Sequence, residues 1–173
     1  MSKALAALIP IKILMVEDNL ADARLTEESL KDCKVLNELF VVRDGIEAID
    51  FLSQAGQYTS VPQPDLILLD LNLPRKDGKE VLAFIKESPV LKMIPVVILT
   101  SSRAERDIIQ SYALHCNCYI SKPLDIDEFG EVVNAIEGFW FSIVKLPRPS
   151  TATRSDVVEQ VVQETFPGRV QTS

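Results

Sequence analysis

The chain reads as an α/β domain: an open parallel sheet of five strands with helices on both faces. Three observations predict it. Short apolar runs alternate with helical patterns five times along the sequence. Two of the runs, Leu66-Ile67-Leu68-Leu69 and Val96-Val97-Ile98-Leu99, lack polar alternation, as strands covered on both faces do. The length, 173 residues with 47% hydrophobic and 25% charged, suffices for one core without disulfides or structural metal.

The first strand is Ile11-Lys12-Ile13-Leu14-Met15-Val16, rich in β-branched and long apolar residues. Asn19 to Cys33 follows as helix. Glu38 to Val42 is a shorter strand, ended by the turn signal Asp44-Gly45. Ile46, Ile49 and Leu52 recur at helical spacing and predict the core stripe of the second helix. Gly56 to Pro64 is a polar loop. The third strand leads into a loop, Asn72 to Gly78, and Val81, Leu82 and Ile85 mark the third helix. Pro95 opens the fourth strand. Ile108, Ile109 and Tyr112 give the stripe of the fourth helix. Tyr119-Ile120 lies in the last short strand, stopped by Pro123. Ile126, Phe129, Val132, Val133, Ile136, Trp140 and Ile143 keep a spacing of three and four, so the fifth helix is long.

Composition narrows the function. A net charge of −7 argues against sequence-independent nucleic-acid binding, which needs a basic face. No apolar run reaches the roughly 18–20 residues that span a bilayer. Residues 1–10 form an N-terminal segment with one Lys and a short Ala/Leu patch, unlike a signal peptide. Cys33, Cys116 and Cys118 have no framework spacing and fit a reducing cytoplasm. His115-Cys116-Asn117-Cys118 hints at metal, yet His115 is the single histidine of the chain; small residues on a buried strand are the better reading.

An open parallel sheet places its ligand site at the carboxyl ends of the strands. The first strand ends in Glu17-Asp18, the third in Asp70, the fourth in Thr100-Ser101-Ser102, and the fifth runs into Lys122-Pro123. Each alone is readily a cap, a turn or a loop residue. Together, at the correct ends of four strands, they predict one site of three carboxylates, one hydroxyl and one ammonium. Clustered carboxylates repel by roughly 4 kcal/mol per pair at ~4 Å and an effective dielectric of about 20. A hard divalent cation such as Mg²⁺ relieves that repulsion and suits carboxylates plus a phosphoryl oxygen. Asp70, at the centre, is then a nucleophile toward phosphorus, with Lys122 offsetting charge and Thr100 hydrogen-bonding the transferred group.

The stretches Val16-Glu17-Asp18-Asn19, Asp70-Leu71-Asn72-Leu73-Pro74-Arg75-Lys76-Asp77-Gly78, Thr100 and Tyr119-Ile120-Ser121-Lys122-Pro123 resemble, in order and spacing, the receiver domains of two-component response regulators. The likeness covers about Lys12 to Leu146. It implies a flavodoxin-like doubly wound (βα)5 fold with strand order 2-1-3-4-5. It implies Asp70 as phosphoacceptor and Mg²⁺ held by Asp18, Asp70 and the backbone carbonyl of Asn72, with Glu17 acting through water. It also implies Lys122 as the partner of the phosphoryl group, and Thr100 with Tyr119 as a switch pair. Such a domain is a signalling protein that catalyses only its own phosphorylation and dephosphorylation.

The chain departs from the commonest receiver pattern at His115-Cys116, where Gly-Ala often stands. His115 is therefore expected at a helix end rather than in catalysis. Asp70-Leu71-Asn72-Leu73-Pro74, His115-Cys116-Asn117-Cys118-Tyr119 and the ending Phe139-Trp140-Phe141-Ser142-Ile143-Val144-Lys145-Leu146-Pro147 are similar to small single-domain regulators of cyanobacterial and bacterial phytochromes. That narrower likeness implies a light-regulated histidine kinase as donor. It also implies a homodimer through the fourth helix, fifth strand and fifth helix. Phe139, Phe141 and Val144 lie outside a single helix stripe and are expected to serve that second surface.

Three competing readings fit the residues less well. A haloacid-dehalogenase-type phosphatase also uses a strand-end Asp, Thr or Ser, Lys and Mg²⁺, but its acid/base Asp would stand where Asn72 is. A nucleotide binder would not place Glu17-Asp18 after its first strand. A receiver that is never phosphorylated would not keep the full acidic set. The expected organisation is an N-terminal segment over 1–10, a receiver domain over 11–146, and a linker with a short helix over 147–173, with no output domain. In that tail Val157, Val158, Val161, Val162 and Phe166 form an apolar stripe, and Ser155 to Thr165 is expected to dock as a helix on its own core or on a partner chain.

Overall fold

The computed structural model describes residues 9–122, 125–142, 144–146, 160–161 and 163–165. Five strands and five long helices alternate: β1 Ile11–Val16, α1 Leu20–Lys31, β2 Asn37–Val42, α2 Gly45–Leu52, β3 Leu66–Leu69, α3 Gly78–Glu87, β4 Val96–Thr100, α4 Glu105–Ala113, β5 Cys118–Ser121 and α5 Ile126–Trp140. All strand pairs are parallel and the order is β2-β1-β3-β4-β5. The predicted sheet and strand order are the observed ones.

Helices α1, α2, α3 and α5 begin where short polar side chains replace missing backbone partners. Asn19 Oδ1 accepts from the N–H groups of Ala21 and Asp22, and Asp44 Oδ1 from those of Ile46 and Glu47. Asp77 and Glu80 form a reciprocal capping box at α3. Alternate strand residues feed two cores, because successive side chains leave opposite faces of a sheet. Leu14, Val16, Leu69 and Ile98 face Phe51, Val81, Leu82 and Ile85 of α2 and α3. Ile13, Met15, Leu68 and Val97 face Leu30 of α1 and Phe129, Val133 and Ile136 of α5.

Two helix faces differ from their predicted stripes. In α2 the buried residues are Gly45, Ala48, Phe51 and Leu52, while Ile46 is 37% exposed. The stripe has shifted because Gly45 must sit against the backbone of Lys76, where a Cβ would come within 2.0 Å of its carbonyl oxygen. In α4, Ile109 and Tyr112 are 59% and 51% exposed, and Ser111 is the buried residue. That helix covers the end of the sheet next to β5, whose four residues are all only half-buried, and it turns most of its apolar stripe outward.

Other differences are local. The loop after α2 holds a 3-10 turn, Gly56–Tyr58, whose Tyr58 ring packs on Phe51 with centroids 5.4 Å apart. Helix α5 stops at Trp140, with Phe141 as its C-cap, so it is shorter than its apolar spacing suggests. Of Phe139, Phe141 and Val144, Phe139 alone is exposed; Phe141 packs against the core beneath α5. His115 follows Leu114, the C-cap of α4, with φ +64°, a left-handed helix-end residue. Cys33, Cys116 and Cys118 are free thiols. Pro123, Ile143 and most of the tail lie outside the described residues. Within the tail, 160–161 and 163–165 are helical and exposed.

The hydroxyl of Ser111 is fully buried and makes no hydrogen bond among the described residues. Burying such a group unpaired is costly. Ser111→Ala should therefore raise the stability by about 1 kcal/mol in denaturant unfolding. A lower stability would show that the hydroxyl has a partner in solution.

Candidate functional site

The strand register brings the polar ends together. Val16 pairs with Leu69, Leu69 with Ile98, and Thr100 with Ser121. Glu17, Asp70, Thr100 and Lys122 follow or close these strands at one level, and all four are buried. Asp18, beside Glu17, is exposed. One carboxylate oxygen from each of Glu17, Asp18 and Asp70 lies within 4.8 Å of the others.

Asp70 is held from two sides. Its Oδ1 accepts from Thr100 Oγ1 at 2.7 Å and from the backbone N–H of Asn72 at 3.0 Å. Its Oδ2 accepts from Lys122 Nζ at 3.0 Å. Lys122 also donates to Glu17 Oε2 and, at 2.9 Å, to Asp22 Oδ2. The other oxygen of Glu17 accepts from the backbone N–H of Asn19 at 3.0 Å. Burial pushes Glu17 up to about 7, against the opposing pull of the Lys122 ammonium. Burial also disfavours the Lys122 charge, but hydrogen bonds to Glu17 and Asp22 and the charge of Asp70 outweigh it and raise its pKa. The ammonium stays protonated and compensates the carboxylates around it.

Every predicted site residue is in this neighbourhood, and two further residues join them. Asp22, in the first turn of α1, reaches Lys122; its position five residues after Glu17 is an ordinary helix start and carries no signal of its own. Ser102 links Thr100 to Tyr119: its N–H donates to Thr100 Oγ1 at 3.4 Å and its carbonyl accepts from the Tyr119 hydroxyl at 3.0 Å. Its own hydroxyl donates to Asp107 Oδ2 at 2.6 Å, and Asp107 pairs with Lys79 of α3. Tyr119 is half-buried against the core under α2 and α3, and burial raises its phenol pKa.

Residues 13–134 match the response regulator receiver domain family. The chain belongs to that family. It is 53% identical over 138 residues to response regulator Rcp1 of Synechocystis sp., covering 80% of this chain and 94% of Rcp1. A crystal structure of the Mn²⁺-bound form of Rcp1 superposes with a TM-score of 0.78 at 52% identity, covering 80% of this chain and 100% of that one. A crystal structure of the phosphorylated cyanobacterial phytochrome response regulator RcpA gives a TM-score of 0.79 at 52% identity, covering 81% and 100%. A receiver with this acidic cluster, in a family that includes a Mn²⁺-bound member, has the donor set of a divalent-cation site: hard oxygens, two of them on buried carboxylates and one open to solvent. His115 and the cysteines take no part in that cluster.

The loop carrying Asn72 is pinned by Gly78. A Cβ there would lie 2.2 Å from the Asp70 carbonyl oxygen and 2.6 Å from the Leu71 Cα, both backbone atoms that cannot step aside. Gly78→Ala should cost roughly 3 kcal/mol of stability. It should also displace Asp70, which broadening or loss of its amide resonance in NMR would report. A variant as stable as the parent would contradict this close approach.

Proposed function

We propose that this receiver accepts a phosphoryl group on Asp70 from a sensor histidine kinase and relays the signal through a change in its partner surface. The observation that carries this reading is the double hold on the Asp70 carboxylate, between the Thr100 hydroxyl and the Lys122 ammonium. Asp70 attacks phosphorus and forms an aspartyl phosphate. Lys122 pairs with the transferred group, and Thr100 hydrogen-bonds one of its oxygens. Asp18, Asp70 and the backbone carbonyl of Asn72 would hold Mg²⁺, with Glu17 acting through water. Bound there, the cation supplies positive charge against the phosphoryl oxygens.

Thr100 and Tyr119 are the switch pair in this reading. Ser102 supports it, since it contacts both hydroxyls and so ties the Asp70 side of β4 to the outer face of α4 and β5. The chain's catalysis is limited to its own phosphorylation and dephosphorylation. Asn72, with no ionisable group two residues after Asp70, gives a phosphatase no acid or base there.

The donor we assign is a phytochrome-type histidine kinase, on the likeness to Rcp1 and to the phytochrome regulator RcpA. The three free thiols support a reducing, cytoplasmic setting. Residues 11–146 are the receiver, with 1–10 and 147–173 as flanking segments. For self-association we assign the face of α4, β5 and α5. Ile109, Tyr112 and Phe139 are more than half exposed there. A cavity of about 230 Å³ opens among Cys118, Ile120, Val132 and Phe139 on the same side. Exposed apolar surface of this kind marks an interface.

Acetyl phosphate with a divalent cation should add one phosphoryl group, seen by intact mass, and Asp70→Asn should abolish it. Asp18→Ala should weaken Mg²⁺ binding and slow labelling. Equal labelling of Asp70→Asn would end the assignment. In sedimentation at tens of micromolar the chain should form a dimer that Phe139→Asp dissociates; a monomer before and after phosphorylation would remove the dimer face.

A further inference from the structure

An ammonium group offers three N–H donors and no more. Lys122 Nζ meets three carboxylates: Glu17 Oε2, Asp22 Oδ2 at 2.9 Å and Asp70 Oδ2 at 3.0 Å. Each donor therefore already has an acceptor. Lys122 is 6% exposed, so bulk water has little access to it. When a phosphoryl group arrives on Asp70, its oxygen gains an N–H from Lys122 only where one of the three acceptors gives way.

The three acceptors differ in what they lose. The Glu17 side chain is 1% exposed, and its second oxygen is committed to the Asn19 N–H. Releasing it would break the ion pair of an almost fully buried carboxylate that bulk water does not reach, the most expensive outcome. Asp70 loses its carboxylate charge when it carries the phosphoryl group, but the phosphoryl oxygens bring more acceptors than the one Lys122 donor it frees. Asp22 is 30% exposed and sits in the first turn of α1, where water rehydrates it directly. Its departure also removes a negative charge from the path of an incoming anion.

We propose that Asp22 is a positioning residue acting through Lys122: it holds the ammonium over Asp70 before modification and yields its place to a phosphoryl oxygen. No proton moves in this exchange. One carboxylate–ammonium hydrogen bond breaks and one phosphoryl–ammonium hydrogen bond forms. Asp22 then sets how tightly the site holds a phosphoryl group, by competing with it. This rests on the reading of Asp70 as phosphoacceptor.

The test is the affinity for beryllofluoride, a phosphoryl analogue, measured by titration calorimetry on the full chain at saturating Mg²⁺. Asp22→Asn keeps the shape and removes the competing charge. It should bind the analogue about fivefold more tightly, the scale of a partly exposed ion pair. Asp22→Glu restores a carboxylate and should return the affinity to that of the parent. Glu28→Gln, on the same helix, removes a charge that does not touch Lys122 and should change nothing. Unchanged or weaker binding in Asp22→Asn would overturn the proposal. So would failure of Asp22→Glu to restore the parent affinity, or an equal gain in Glu28→Gln. If the parent chain itself did not bind the analogue, the assignment of Asp70 would fall first, and this proposal with it.

Discussion

One buried ammonium organises this molecule. Lys122 stands at the end of the edge strand β5 and is bonded by carboxylates that arrive from β1, α1 and β3. Without it, Glu17 and Asp70 would be two buried negative charges in a protein that already carries a net −7. Burying charge is tolerated only where it is paired and hydrogen-bonded. The pairing here leaves an excess of negative charge, which a divalent cation is suited to balance. The same arrangement makes the site responsive, since any change in the charge on Asp70 alters what Lys122 can hold.

The backbone is built to keep these groups at one level. A parallel sheet ends all its strands on the same side, and the observed register places Val16, Leu69 and Ile98 in line. Gly78 lets the start of α3 press against the Asp70 carbonyl, and Gly45 lets α2 press against the same loop at Lys76. Arg75, left-handed at φ +66°, then pairs with the Asp44 carboxylate that caps α2. The loop after β3 is thus clamped from two helices. On the other side, the loop after β4 is held through Ser102 by Tyr119 and Asp107. Asp70 lies between one loop clamped by helix contacts and one held by side-chain hydrogen bonds, and the second joins Asp70 to α4 through Thr100, Ser102 and Asp107.

Apolar spacing located all five helices but misjudged two of their faces. A stripe such as Ile46, Ile49 and Leu52 or Ile108, Ile109 and Tyr112 identifies a helix because three- and four-residue spacing is a local property. Which side of that helix meets the sheet depends on neighbours far away in sequence. For α2 the deciding neighbour is the loop at Lys76. For α4 it is the partly exposed edge strand β5, which leaves Ile109 and Tyr112 free to face outward. The α4 stripe belongs to an outer face rather than to the core.

The sequence by itself determined the fold class, the strand order through its family likeness, and the gathering of Glu17, Asp18, Asp70, Thr100 and Lys122 at one end of the sheet. Strand ends are visible as apolar runs that stop at polar residues, and a parallel sheet puts those ends together without further instruction. Tertiary structure alone decided the rest. It selected Asp22 as a third partner of Lys122 and Ser102 as the bridge between Thr100 and Tyr119, because both contacts join segments whose separation in sequence carries no pattern. It also decided which carboxylates are dry and which are open to water. Burial, unlike spacing, is a property of everything packed around a residue, and here it separates Glu17 and Asp70, which are shut off from water, from Asp18 and Asp22, which water reaches.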